Sequence, residues 1–155
     1  MNDPEHPELP ADVRVTLVVA RFNRSITDHL MAGCREALLA GGVDASRVRV
    51  LRVPGAWELP LACRMLARQG GQDVIVALGA VVRGETAHFD FISAECAAGL
   101  QRVMLDTGVP IAFGVLTTEN GEQAMERADP KRRNKGREAA LAALEMVALG
   151  RRLSP

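Results

Sequence analysis

Residues Val74–Ile92 read VIVALGAVVRGETAHFDFI, and the break inside this stretch decides the fold. The run Val74–Val82 is apolar and rich in branched side chains, as a strand covered on both faces requires. Arg83-Gly84 interrupt it, Glu85-Thr86 open a helical pattern, and His88 falls in the first turn. A buried strand followed at once by a helix is the unit of a parallel α/β sheet. The same junction is an anion site in the making. Free backbone N–H groups and the positive end of the helix dipole converge there. A histidine beside such a site can move protons near neutral pH. The junction therefore points to an enzyme that holds a phosphorylated small molecule and does acid–base chemistry on it.

Outward from this unit the pattern repeats. Val13–Ala20 and Ser46–Val53 read as strands before it, and Val109–Leu116 as a strand after it. Ile26–Ala40 is an amphipathic helix closed by Gly41-Gly42. Trp57–Gln69 is a helix in which Pro60 is tolerated because it sits in the first turn. Thr86–Leu105 is a long helix stopped near Gly108 and Pro110, and Glu119–Ala128 a short one. A basic, Pro-containing loop, Asp129–Lys135, precedes an alanine-rich last helix, Gly136–Gly150. The alternation predicts a three-layer αβα sandwich of flavodoxin-like type: a four-stranded parallel sheet with helices on both faces and right-handed crossovers. One domain over residues 13–155 is expected, after an acidic, Pro-rich, flexible arm over residues 1–12.

Composition narrows the class of function. The 19 basic and 19 acidic residues cancel, which argues against a nucleic-acid partner. No apolar run approaches the roughly 20 residues of a membrane span. The first residues, MNDPEHPELP, lack the apolar core of a signal peptide. Cys34, Cys63 and Cys96 are odd in number and far apart, each within a predicted helix. They read as buried free thiols in a reducing cytoplasm. No Cys or His pair has metal-ligand spacing, so no metal is expected.

Ligands of open parallel sheets bind beyond the carboxyl ends of the strands, and the unusual residues fall there. Arg21-Phe22-Asn23 follows the first strand, and Pro54-Gly55-Ala56-Trp57-Glu58 the second. The loop from Arg83 to His88 follows the third, and Thr117–Asn120 the fourth. With no Tyr, one Trp and four Phe in the chain, Phe22, Trp57 and Phe113 are either covers for strand ends or stacking surfaces for a planar ligand. His88 is the candidate proton carrier; His6 lies in the arm, and His29 beside Asp28 on a helix. Glu85 would repel a phosphate, so its backbone N–H rather than its side chain suits the anion. Glu58 either complements a helix dipole or accepts hydrogen bonds from a polyol. Arg127 either compensates the end of its helix or clamps phosphate. Lys135 stands out because the chain has 17 Arg and only one other Lys, Lys131.

Together these strings resemble the lumazine synthase family. They are RFN (Arg21–Asn23), VPGAWELP (Val53–Pro60), ALGAVVRGETAHFDFI (Ala77–Ile92), FGVLTTEN (Phe113–Asn120), EQAMERA (Glu122–Ala128) and NKG (Asn134–Gly136). The resemblance spans about residues 13–150 in one order. It implies condensation of 5-amino-6-(D-ribitylamino)uracil with 3,4-dihydroxy-2-butanone 4-phosphate to 6,7-dimethyl-8-ribityllumazine, phosphate and water, without a metal or organic cofactor. Phe22 or Trp57 would stack on the pyrimidine. Asn23, Ala56 and Glu58 would hold ring and ribityl chain, and Val81 and Val82 would offer backbone groups to the uracil edge. The backbone of Glu85 and Thr86, with Arg127, would hold the phosphate, and His88 would shuttle protons. Phe113 and Lys135 would complete the site from a neighbouring copy, since the family assembles as pentamers or multiples of them. Asp129-Pro130-Lys131-Arg132-Arg133 departs from the small-residue run that precedes Asn in shell-forming members, and so implies a pentamer rather than a shell. A non-catalytic flavin or lumazine binder, or a low-activity paralogue, is the alternative.

Overall fold

The computed structural model describes residues 11–154. His6 and nearly all of the expected arm lie outside them. Four strands, β1 (Val15–Ala20), β2 (Val48–Val53), β3 (Val74–Val82) and β4 (Ile111–Thr118), form one parallel sheet in the order β2-β1-β3-β4. Helices α1 (Arg24–Ala40), α2 (Leu59–Gln69), α3 (His88–Thr107), α4 (Gly121–Ala128) and α5 (Lys135–Leu153) cover it. This is the three-layer, flavodoxin-like α/β architecture that the alternation predicts. Among the described residues no helix is long and apolar enough to cross a membrane.

The strands explain their own positions. All six residues of β1 and the first seven of β3 are buried, because these two strands lie inside the sheet with helices on both sides. Side chains alternate between the two faces. Val74, Val76, Leu78 and Ala80 pack with Leu30, Cys34, Leu38, Ala140 and Leu144 of α1 and α5. Ile75 and Ala77 pack with Leu59, Cys63, Cys96 and Leu100 of α2 and α3. At the edges, β4 leaves Phe113 and Thr117 exposed. The two glycines of the α1–α5 crossing permit its closeness. Asn134 fits against Gly33, and a Cβ on Gly136 would fall on the Leu30 carbonyl oxygen.

All three thiols are free and buried. Burial pushes Cys34 and Cys63 up to about 12 and Cys96 up to about 11, so none is a nucleophile at neutral pH.

Most element boundaries shift by one to three residues from the sequence expectation, and several do so for a clear local reason. The second strand begins at Val48; Ala45–Arg47 form a 3-10 turn capped by the Asp44 carboxylate, which accepts from the Ser46 N–H at 2.8 Å. The second helix begins at Leu59, after a 3-10 turn over Ala56–Glu58, with Pro60 in its first turn. The third begins at His88 rather than Thr86. The Thr86 hydroxyl accepts from the His88 N–H at 3.4 Å, and Ala87 supplies the first carbonyl of the helix, to Asp90. It continues to Thr107, where Gly108 turns left-handed at φ 73° and delays the fourth strand to Ile111.

Candidate active site

The loops after β1, β2 and β3 converge at the carboxyl edge of the sheet around a cavity of about 850 Å³. Phe22, Ala56, Trp57, Glu58, Val81, Val82, Thr86 and His88 all line it. Phe22 and Trp57 are 72% and 57% exposed, so neither is spent on covering a strand end. The Trp57 ring is presented by the 3-10 turn that follows Gly55. One carboxylate oxygen of Glu58 accepts from the Gly55 N–H at 3.1 Å, which fixes the side chain and leaves its other oxygen for a ligand.

Asn23 has a structural task. It takes the left-handed conformation at φ 60°, starts α1, and its side-chain amide donates to the Ala80 carbonyl at 2.8 Å. That bond stitches the end of β1 to β3 beneath the cavity, although Asn23 is not part of the lining. Glu85 is exposed and likewise outside the lining, whereas Gly84 and Thr86 belong to it. Among the described residues, the N–H groups of Gly84, Glu85, Thr86 and Ala87 donate to no protein acceptor. Four free donors ahead of a 20-residue helix make a cradle for an anion. His88, the first residue of that helix, presents its ring to the same cavity.

Phe113, Arg127 and Lys135 lie elsewhere. They line a second cavity, of about 440 Å³, along the open edge of β4 and bounded by α4 and α5. Arg127 donates to the Gln123 carbonyl of its own helix at 3.2 Å, and the Lys135 ammonium meets the Glu138 carboxylate at 2.8 Å. The family resemblance groups Arg127 with the backbone of Glu85 and Thr86 as one phosphate set. Within a single chain the geometry separates them, because α4 packs against α1 and the far edge of the sheet. The candidate residues thus fall into two groups, candidate half-sites, one with exposed aromatics, free N–H groups and a histidine, the other with two cations and a phenylalanine.

Sequence reasoning passes over several lining residues. Phe91 follows His88 by three positions and so shares its helical face, a signal present in the spacing. Phe89 and Ile92 also line the first cavity, and Glu138 the second. Their parts depend on how distant loops meet, which no local pattern states.

Fold and cavities define a class: a parallel α/β protein with an aromatic-lined cavity beyond its strand ends. The comparisons specify it further. The family model described as 6,7-dimethyl-8-ribityllumazine synthase matches residues 12–151. A protein of that name from Pectobacterium atrosepticum is 52% identical over 151 residues, covering 95% of this chain and 96% of the relative. The chain belongs to the 6,7-dimethyl-8-ribityllumazine synthase family.

Proposed function

We propose that the chain condenses 5-amino-6-(D-ribitylamino)uracil with 3,4-dihydroxy-2-butanone 4-phosphate, forming 6,7-dimethyl-8-ribityllumazine and releasing phosphate and water. The observation that carries this reading is the first cavity, which joins an exposed Trp57 ring and His88 to Gly84 and Thr86 of a loop whose N–H groups, from Gly84 to Ala87, meet no protein acceptor. Trp57 or Phe22 stacks on the pyrimidine, Val81 and Val82 offer backbone groups to its uracil edge, and Ala56 and Glu58 hold the ribityl chain, with Asn23 keeping the floor in register. The N–H groups of Glu85 and Thr86 take the phosphate.

The chemistry needs no enzyme nucleophile and no cofactor. The substrate amine attacks the ketone, and the carbinolamine loses water to an imine. Elimination then breaks the C–O bond to phosphate, the resulting enol becomes a ketone, and the second nitrogen closes the ring on that carbonyl with loss of a second water. Each step moves a proton at the substrate, and His88 is the group in the cavity suited to carry it. Much of the remaining acceleration comes from holding two substrates together, for which effective molarities of about 10⁵ M are attainable.

Phosphate is dianionic, and the first cavity contains no cation among its lining residues. Arg127 and Lys135 are the cations of the second cavity. We therefore place the second cavity of a neighbouring copy over the first, so that Phe113, Arg127 and Lys135 of that copy complete the site. A head-to-tail ring repeats one such contact, and a ring of five is our assignment. The loop Asp129–Arg133 is folded tightly on Asp129, which accepts from the N–H groups of Lys131, Arg132 and Asn134. Lys131, Arg132 and Arg133 are left exposed on it, a basic knob that opposes packing of ring against ring. Three buried free thiols agree with a cytoplasmic location.

Mixing the purified chain with both substrates, and no metal or cofactor, is expected to give lumazine fluorescence and an equal amount of inorganic phosphate. Tight riboflavin binding without turnover would instead identify a carrier.

A further inference from the structure

We propose that Arg83 is a positioning residue that staples the phosphate loop shut. The inference rests on the condensation proposed above and names a part of the same site. Arg83 directly follows Val82, the last residue of β3, and the exposed loop Gly84–Ala87 comes after it. It lines neither cavity, so its guanidinium is not placed as a ligand. It has three other partners. Nε meets the Glu119 carboxylate at 2.8 Å, and Nη1 meets Asp90 at 3.2 Å. The guanidinium carbon lies 4.3 Å from the centre of the Phe89 ring. Its backbone N–H also donates to the Thr118 carbonyl at 2.9 Å.

The geometry makes this a closure. Asp90 and Phe89 belong to the first turn of α3, on the far side of the loop whose N–H groups await the anion. Arg83 therefore joins the residue before the loop to the helix after it. Those free N–H groups cannot be held by internal hydrogen bonds without losing their use. A staple outside the loop orders them in advance, and less ordering entropy is lost when phosphate binds. Glu119 adds a second tether, to the segment that leads into α4. An isolated exposed ion pair does little. Here one planar fork holds two carboxylates and an aromatic face at once, which a lysine cannot reproduce.

A competing account is charge alone: Arg83 would merely offset Asp90 and Glu119 beside the dianion. Two substitutions separate them. The staple account expects Arg83→Ala to raise the KM for the butanone phosphate roughly tenfold, and Glu119→Gln roughly threefold, with the KM for the pyrimidine unchanged. Arg83→Lys should stay close to Arg83→Ala. Charge alone expects Glu119→Gln to tighten phosphate binding, and full rescue by lysine. Either of those results overturns the staple, as does an unchanged phosphate KM in Arg83→Ala. Titration with inorganic phosphate, read by the fluorescence of the single Trp57, repeats the comparison independently of turnover. If the wild-type chain binds phosphate but forms no lumazine, the condensation fails while the staple is still decided by that titration.

Discussion

Replacing Arg127 with Ala is expected to raise the KM for the butanone phosphate about a hundredfold and to leave the KM for the pyrimidine within a factor of about two. The size follows from what the guanidinium does. It is half-buried, donates to the Gln123 carbonyl with one nitrogen, and has other donors left to fork a phosphate. Loss of a hydrogen-bonded cation opposite a dianion costs about 2–5 kcal/mol, and about 2.7 kcal/mol is a factor of a hundred. His88→Ala behaves differently. In the proposed reaction its ring moves protons that water in an open cavity can also move, so turnover is expected to fall while substantial activity remains, with substrate binding unchanged. Steady-state kinetics with each substrate varied in turn checks both. A complete loss of turnover in His88→Ala would mean that proton transfer, and not proximity, dominates the rate.

Gly136→Ala is expected to unfold the chain or to destabilise it by about 3 kcal/mol or more. Gly136 is the second residue of α5, and it lies against α1 so closely that a Cβ would land on the Leu30 carbonyl oxygen, 2.9 Å from its carbon and 3.0 Å from the Cys34 nitrogen. Backbone cannot yield as a side-chain tip can, so the helices must separate. The face they cover contains Val74, Val76, Leu78 and Ala80 of β3, and its opening exposes the larger of the two apolar clusters. Lys135 precedes Gly136, so any surviving fold also loses the second half-site. Gly150 in the same helix provides the control. It has nothing within 4 Å of a built Cβ, and Gly150→Ala should stabilise by about 0.5–1 kcal/mol through helix propensity. Urea melts of the two variants decide the matter.

Much of this was legible in the chain because it is written locally. A nine-residue apolar run, a glycine-marked break and a histidine three residues into the following pattern are all contiguous in Val74–His88. Phe22, Trp57 and Thr86 follow the same rule, since each is the polar or aromatic exception just past a strand. What was not legible is set by meetings at a distance. The pairing of Arg83 with Glu119 spans 36 residues, and no periodicity signals it. The helix start at His88 turns on one hydrogen bond that the Thr86 hydroxyl accepts from the His88 N–H. The family resemblance makes Arg127 a partner of the phosphate loop, yet it lines the second cavity, because α4 docks beside the open edge of β4. Side chains that act between copies can be named from one chain, but their separation within it appears only in three dimensions.

That separation bears on the central claim, a site made by two copies. Trp57→Asp disables the first half-site, and Arg127→Glu the second; each variant alone should be nearly silent. Co-expressed in equal amounts and assembled at random, they leave about one interface in four with both halves intact. Lumazine formation by the mixed assembly should therefore return to about a quarter of the wild-type rate. A mixture no more active than the two variants measured apart would contradict the account and place the whole site within one chain.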